Sequence, residues 1–216
     1  MVKARKKHVL VTAGPTREHL DPVRFLSNPS TGKMGYAVAE AALHTGCSVD
    51  LVSGPVGLSA PAGAVLHEVV SAAEMLLAAE RLFDSCDCLI AVAAVSDWRP
   101  AYPSGHKVKK GAGAQTLDLV PNQDILATLA ARKREGQVVV GFCAETEDLE
   151  TNARAKLAAK NLDWIAGNLV GGTARGFQSD QNELLVLDSS GQRAILGPGA
   201  KSELAAALVR LIGLRS

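Results

Sequence analysis

Aromatic side chains are scarce in this chain, at 4% of 216 residues, and neither charge is in excess. Lys and Arg number 23 against 22 Asp and Glu, so no global field recruits nucleic acid or an anionic membrane, and any anion site must be local. The one early basic group, Lys3, Arg5, Lys6 and Lys7, reads as part of a solvated tail over residues 1–7. No run of about 18 apolar residues occurs, which argues against a spanning helix. The apolar stretch after the basic start is too short for a signal-peptide core before it reaches Gly14-Pro15. Zinc-like spacing is missing too: Cys47, Cys86, Cys88 and Cys143 form no pair of pairs, and the five histidines are scattered. We therefore expect reduced thiols and a cytoplasmic protein, with metal ligands left unassigned. Cys86 and Cys88 begin an apolar strand and Cys143 ends one with no histidine near it, so packing explains all three better than chemistry does.

Two nucleotide-binding patterns are also absent. In "FLSNPSTGKMGYAVAEAA" (25–42), Gly32-Lys33 is followed by Met34, and Ser27 stands where a P-loop needs its first glycine. The "GPTREH" stretch lacks the Gly-x-Gly-x-x-Gly spacing of a dinucleotide fold, and Asp50 is badly placed for a ribose acid.

What is present is an alternation. "HVLVTA", "SVDLVSGP", "AVLHEVV", "CLIAVAAV", "VVVGFCAE" and "WIAGN" read as strands, interleaved with helices near 35–46, 71–85, 122–134 and 149–160. "NELLVLD" and "RAIL" flank "SSGQ" as a late hairpin before a terminal helix from Lys201. The pattern predicts an α/β fold: one Rossmann-like, doubly wound, mostly parallel sheet in a single domain over 1–216. The length suits one core.

Two connections are too long. About 20 residues separate the first strand from its helix where ~2 to 6 is usual, and residues 98–115 form a lid-like, mobile loop rich in Gly, Pro and Lys. In an open α/β sheet, ligands bind beyond the carboxyl ends of the strands. The exits to inspect are Gly14 onward, Gly54 onward, Ala93 to Asp97 and Phe142 to Glu145. The first long loop carries Arg17, Arg24, Asn28, Ser30, Thr31 and Lys33, all donors able to meet an anion at a helix start, or simply a polar surface loop. Asp97 follows a buried strand and could orient a ribose hydroxyl or a base amine. Lys107, Lys109 and Lys110, and Lys156 with Lys160 one helical turn apart, read as solvated charge or as point charges for a triphosphate.

Taken together, "TAGPTREHLDPVRFLSNPSTGKMG", "AAVSDWRP", "KVKK", "PNQDIL" and "GFCAET" resemble the phosphopantothenoylcysteine synthetase family, in its bacterial CTP-dependent form, often fused behind a flavin-dependent decarboxylase. The resemblance runs from about His8 to the terminal helix. It implies a homodimeric ligase of coenzyme A biosynthesis that joins 4′-phosphopantothenate to L-cysteine through an acyl-cytidylate, using CTP and Mg²⁺, with no flavin in this chain. A flavin decarboxylase would be a neighbouring domain or partner. It implies Asn28 and Lys107 as catalytic residues, Arg24, Ser30, Thr31, Gly32, Lys33, Ala93 and Ala94 around the acyl substrate, and a nucleotide site at Gly14, Asp97, Lys107, Gln123, Asp124, Ile125, Leu126, Phe142, Lys156 and Lys160. Leu169 and "FQSDQNE" depart from the family pattern. A dehydrogenase of the same fold and a nucleotide sensor without turnover are the competing readings.

Overall fold

The computed structural model describes residues 5–170 and 181–214. Twelve strands and five helices are assigned among them. In chain order they are β1 (His8–Ala13), β2 (Arg17–His19), β3 (Phe25–Ser27), α1 (Lys33–His44), β4 (Ser48–Ser53), β5 (Ala64–Glu68), α2 (Ala72–Phe83), β6 (Cys88–Ala91), β7 (Trp98–Pro100), β8 (Leu119–Pro121), α3 (Ile125–Ala130), β9 (Val138–Glu145), α4 (Leu149–Ala159), β10 (Trp164–Leu169), β11 (Gln181–Asp188), β12 (Arg193–Ala200) and α5 (Lys201–Leu211).

The main sheet runs β12-β11-β10-β9-β6-β1-β4-β5, with six parallel strands and the β11–β12 hairpin added antiparallel at one edge. The doubly wound sheet expected from the alternation is thus present, and its order reverses between β1 and β6. Short β-branched runs make these strands because both faces are covered. Alternate residues of β1 show it: Val9 and Val11 pack with α1 and α5, while Leu10 packs with α2, α3 and α4. Val9, Val11 and Leu10 are fully buried.

Close packing of α1 on β1 depends on Gly35, where an added Cβ would lie 2.5 Å from the Ala13 Cβ. Asp50 takes no ribose position. His8 Nε2 and His67 Nε2 donate to its two oxygens at 2.6 and 2.7 Å, joining β1, β4 and β5 low in the sheet. All four cysteines are unpaired and buried, and burial pushes the Cys86 and Cys143 thiols up to about 11. Their packing role stands.

Both long connections hold structure that strand and helix periodicity could not reveal. The first folds as the β2–β3 hairpin, tied down where buried Glu18 accepts from the Ala72 N–H at 2.9 Å and Arg17 N–H donates to the Val70 carbonyl at 2.8 Å. The second is framed by the β7–β8 pair. Its span, expected to be loose over 98–115, is partly pinned: Val108 N–H donates to Asp21 Oδ2 at 3.1 Å, and Ser104 N–H to the Leu20 carbonyl at 2.8 Å.

Three boundaries also shift. Helix α1 starts two residues earlier than expected, at Lys33. Helix α3 starts at Ile125, because the Asp124 carboxylate caps it by accepting from the Ala127 N–H at 2.9 Å. Strand β6 ends at Ala91 instead of Val95, because the backbone at Ala94 turns to bond with the β1 exit: Ala94 N–H donates to the Gly14 carbonyl at 2.9 Å. Among the described residues, no helix is long and apolar enough to cross a membrane.

Candidate active site

The strand exits meet in a cavity of about 350 Å³ at the carboxyl edge of the sheet. Gly14, Val92 to Val95, Phe142 to Ala144 and Asn168 form its base, after β1, in the β6 exit, and within β9 and β10. One wall is Asn28 and the stretch Ser30 to Gly35 that opens α1. Asn182 and Lys201 also line the cavity.

Glycine makes the first wall possible. Gly14 has φ +73°, and a Cβ there would lie 2.9 Å from the Gly54 carbonyl oxygen. Gly32, at φ +77°, brings no side chain of its own to cap α1, whose first turn borders the cavity. Lys33 adds a positive charge at the same helix end.

Asn28 sits where the two loops join. Its Nδ2 donates to the carbonyls of Ala94 and Val95 at 3.1 and 3.0 Å. With both donor hydrogens so directed, the side chain offers its oxygen, an acceptor, to anything in the cavity.

Beyond the base, on the α3–α4 side, a second set of groups gathers. Lys156 Nζ donates to Glu145 Oε1 at 2.5 Å, and Asn152 Nδ2 holds the other carboxylate oxygen at 3.2 Å. Partial burial works against the Lys156 charge, yet Glu145 outweighs it and raises the pKa above the ordinary lysine value. Lys160 Nζ lies 2.7 Å from Asp124 Oδ2. Burial would raise the Asp124 pKa, but the Ala127 N–H and Lys160 together hold it below the usual carboxylate range. Asp97 is close enough to Lys156 to act on its charge, and its carbonyl accepts from the Asn122 N–H at 2.8 Å.

Of the residues singled out in the sequence, Gly14, Asn28, Ser30, Thr31, Gly32, Lys33, Ala93, Ala94 and Phe142 line the cavity. Asp97, Asp124, Lys156 and Lys160 form the adjoining charged group, and Gln123 lies beside it, donating to Thr128 Oγ1 at 3.2 Å. Ile125 is buried and Leu126 packs against the same core, so only their backbone can serve a ligand. Lys107 is exposed on the long loop.

Arg24, placed beside the acyl substrate by the resemblance, is not among the residues lining this cavity. Its guanidinium pairs with the buried Asp21 carboxylate and donates to the Val108 carbonyl at 2.8 Å, clamping the two long loops together. That guanidinium holds the Asp21 carboxyl well below the usual range. Asn168, Asn182 and Lys201 are cavity residues not singled out in the sequence: Asn168 ends "WIAGN", Asn182 lies in "FQSDQNE", and Lys201 opens the terminal helix. Within the departing segment "FQSDQNE", residues 177–180 lie outside the described residues.

Residues 4–214 match the family model described as "DNA/pantothenate metabolism flavoprotein C-terminal domain". The chain belongs to this family. A solved structure described as the C-terminal domain of the coenzyme A biosynthesis bifunctional protein CoaBC shares 38% identity, with a TM-score of 0.81, over 95% of this chain and 93% of that one. CoaBC of Bacillus subtilis is 50% identical over 188 residues, covering 87% of this chain and 46% of that protein. CoaBC of Vibrio cholerae is 46% identical over 208 residues, covering 95% and 52%. The chain thus spans about half the length of the curated relatives it matches. Among the described residues, no group of three or more His, Cys, Asp or Glu side chains is arranged to hold a metal ion.

Proposed function

We propose that the chain is a CTP-dependent phosphopantothenate–cysteine ligase of coenzyme A biosynthesis. The observation that carries the reading is the junction of Asn28 with the Ala94 carbonyl, set between the start of α1 on one side and paired lysines on the other. Membership of the family supports the choice of substrates.

In the first half-reaction, a carboxylate oxygen of 4′-phosphopantothenate attacks the α-phosphorus of CTP. The α–β phosphoanhydride bond breaks and pyrophosphate leaves. Asp97, Gln123 and the backbone from Asp124 to Leu126 bind the nucleotide, with Phe142 beneath it. Lys107, Lys156 and Lys160 offset the charge that develops on the triphosphate. The pairing of Lys156 with Glu145 keeps its ammonium charged, and the pairings with Glu145 and Asp124 hold Lys156 and Lys160 in place before the nucleotide arrives. Mg²⁺ bound with the nucleotide would offset part of the triphosphate charge; among the described residues the nearby carboxylates of Asp124 and Glu145 already hold lysines.

In the second half-reaction, the cysteine amine attacks the acyl carbon, the acyl–oxygen bond breaks, CMP leaves and the amine loses a proton. Asn28, presenting an acceptor oxygen, orients the N–H of the incoming amine over the acyl carbon, which Ala93 and Ala94 flank. Ser30, Thr31, Gly32 and Lys33 hold the substrate's phosphate at the start of α1. The loop over 98–115, hinged on the Asp21–Arg24 clamp, brings Lys107 to the triphosphate.

The chain works as one synthetase domain over 1–216 and needs no flavin of its own. Its four unpaired buried thiols suit the cytoplasm. Apolar side chains exposed on the two small hairpins, Val23, Phe25, Trp98 and Leu119, give a homodimer its contact surface. A flavin-dependent decarboxylase is the companion domain or partner, which fits the bifunctional relatives of about twice this length.

The test is pyrophosphate release by the purified chain with Mg²⁺ and 4′-phosphopantothenate, across CTP, ATP, UTP and GTP, with and without cysteine. Release with CTP is expected, with CMP and the cysteine adduct forming only when cysteine is added. Release with ATP in place of CTP overturns the nucleotide. No release with any of them overturns the ligase.

A further inference from the structure

Lys201 is a cation in an unusual place. It is the first residue of α5, it lines the cavity, and its relative exposure is 9%. Lysine is seldom buried to this degree unless it is paired. A positive charge at the N-terminal end of a helix also opposes the helix dipole. Glu203 gives its carboxylate to the same helix end by accepting from the Ala200 N–H at 3.1 Å.

The topology explains what this cation faces. Strands β10 and β11 are antiparallel, as are β11 and β12, so β12 points in the direction of the parallel strands and α5 begins at the carboxyl edge. Helix α1 begins at that edge too, and α1 and α5 pack into one core on one face of the sheet. Lys33 and Lys201 are therefore the first residues of two neighbouring helices that open on one cavity. The nucleotide lysines, Lys156 and Lys160, belong to α4 on the opposite face, whose Leu157 packs in the other core.

We infer that Lys201 is a substrate-binding residue whose ammonium pairs with the phosphate of the acyl substrate, against the α1 start. This rests on the ligase reading above. A molecule with a phosphate at one end and a carboxylate at the other spans such a cavity in one sense only: the carboxylate goes toward the lysines of α4, and the phosphate goes between Lys33 and Lys201. Lys201 then determines the preference for a phosphorylated acid over the free one.

The experiment compares steady-state rates with 4′-phosphopantothenate and with pantothenate for the wild-type chain, Lys201→Met and Lys201→Arg. In Lys201→Met, KM for 4′-phosphopantothenate is expected to rise about 10- to 100-fold, the scale of one lost charge-assisted hydrogen bond. KM for CTP and for cysteine should stay within about twofold, and the preference over pantothenate should fall by the same factor. Lys201→Arg should regain most of that preference. An unchanged preference in Lys201→Met, or a loss that falls on cysteine or CTP, overturns the inference while leaving the ligase intact. If the wild type turns over no nucleotide, the ligase reading fails, and calorimetric binding of 4′-phosphopantothenate to the wild type and Lys201→Met decides Lys201 separately. If Lys201→Met does not fold, a crystal structure of the wild type with 4′-phosphopantothenate decides: Lys201 Nζ should lie about 3 Å from a phosphate oxygen, and a lysine turned away from the phosphate overturns the assignment.

Discussion

The Asn28 side chain donates to the Ala94 carbonyl at 3.1 Å, bridging the first long loop and the exit of β6. Its companion bond to the Val95 carbonyl, at 3.0 Å, fixes the amide in both position and sense. A side chain held this way is preorganised and offers its acceptor oxygen to the cavity. Asn28→Asp places a carboxylate against two carbonyl oxygens and should turn away. Asn28→Asp and Asn28→Ala are expected to keep pyrophosphate release within about fivefold and to lower cysteine adduct formation by about 10²-fold or more, a loss on the scale of one oriented catalytic contact. Quenched-flow analysis of the acyl-cytidylate checks this. Equal loss in both half-reactions would remove Asn28 from the amine step.

Asp124 has two tasks, capping α3 and holding Lys160. Losing the cap alone costs about 1 kcal/mol. Asp124→Ala is expected to lower the denaturation midpoint accordingly and to raise KM for CTP several-fold. Asp124→Asn, which can still cap, should restore the stability and leave the KM defect. Recovery of both by Asn would show that Lys160 needs no carboxylate partner.

Gly35 carries the contact between α1 and β1. An alanine there meets the Ala13 Cβ at 2.5 Å and its Cα at 3.1 Å, with no flexible side chain to give way. Gly35→Ala should destabilise the protein by about 1 to 3 kcal/mol, as overpacking does. Because α1 opens at the cavity, the KM for 4′-phosphopantothenate should rise as well. Urea denaturation and kinetics on one preparation test the pair of effects together, and wild-type values in both would refute the contact.

The Asp21–Arg24 pair makes stability depend on pH. The folded Asp21 carboxyl lies below its ordinary value, so its contribution is complete above about pH 4, the ordinary aspartate pKa. It is lost as pH falls from there toward the folded pKa. Asp21→Asn should flatten this part of the acid limb between about pH 4 and pH 2. It should also loosen the long loop, since the Val108 N–H loses its charged acceptor. Limited proteolysis at neutral pH should then cut within 101–118 sooner than in the wild type. An unaltered acid limb would place the pH dependence elsewhere.

The parallel sheet was legible because its strands are buried on both faces and so read as short continuous apolar runs, and the helices between them show their own period. The two small hairpins were not legible. Strands of three residues such as "REH" and "FLS" are too short for a period, and they exist because Glu18 and Asp21 find partners far along the chain. The early end of β6 has the same origin, since "CLIAVAAV" reads as one strand until Gly14 and Asn28 claim the Ala94 backbone.

Within the site, local motif and order in the chain were enough to single out the loop residues from Asn28 to Lys33 and the exit at Ala93 and Ala94. Those features concern the backbone's own turns, and the residues that make a turn are adjacent in sequence. Arg24 stood in the same motif, but only the fold joined it to Asp21 and Val108. Lys201, Asn168 and Asn182 are the converse case: ordinary residues at element ends until β11 and β12 reverse and set α5 beside α1. The sequence alone determined which strands build the main sheet and which loop carries the polar donors, because those follow from local period and composition. Which charges share a cavity was decided only in three dimensions, since it depends on strand order and helix packing between segments more than 150 residues apart.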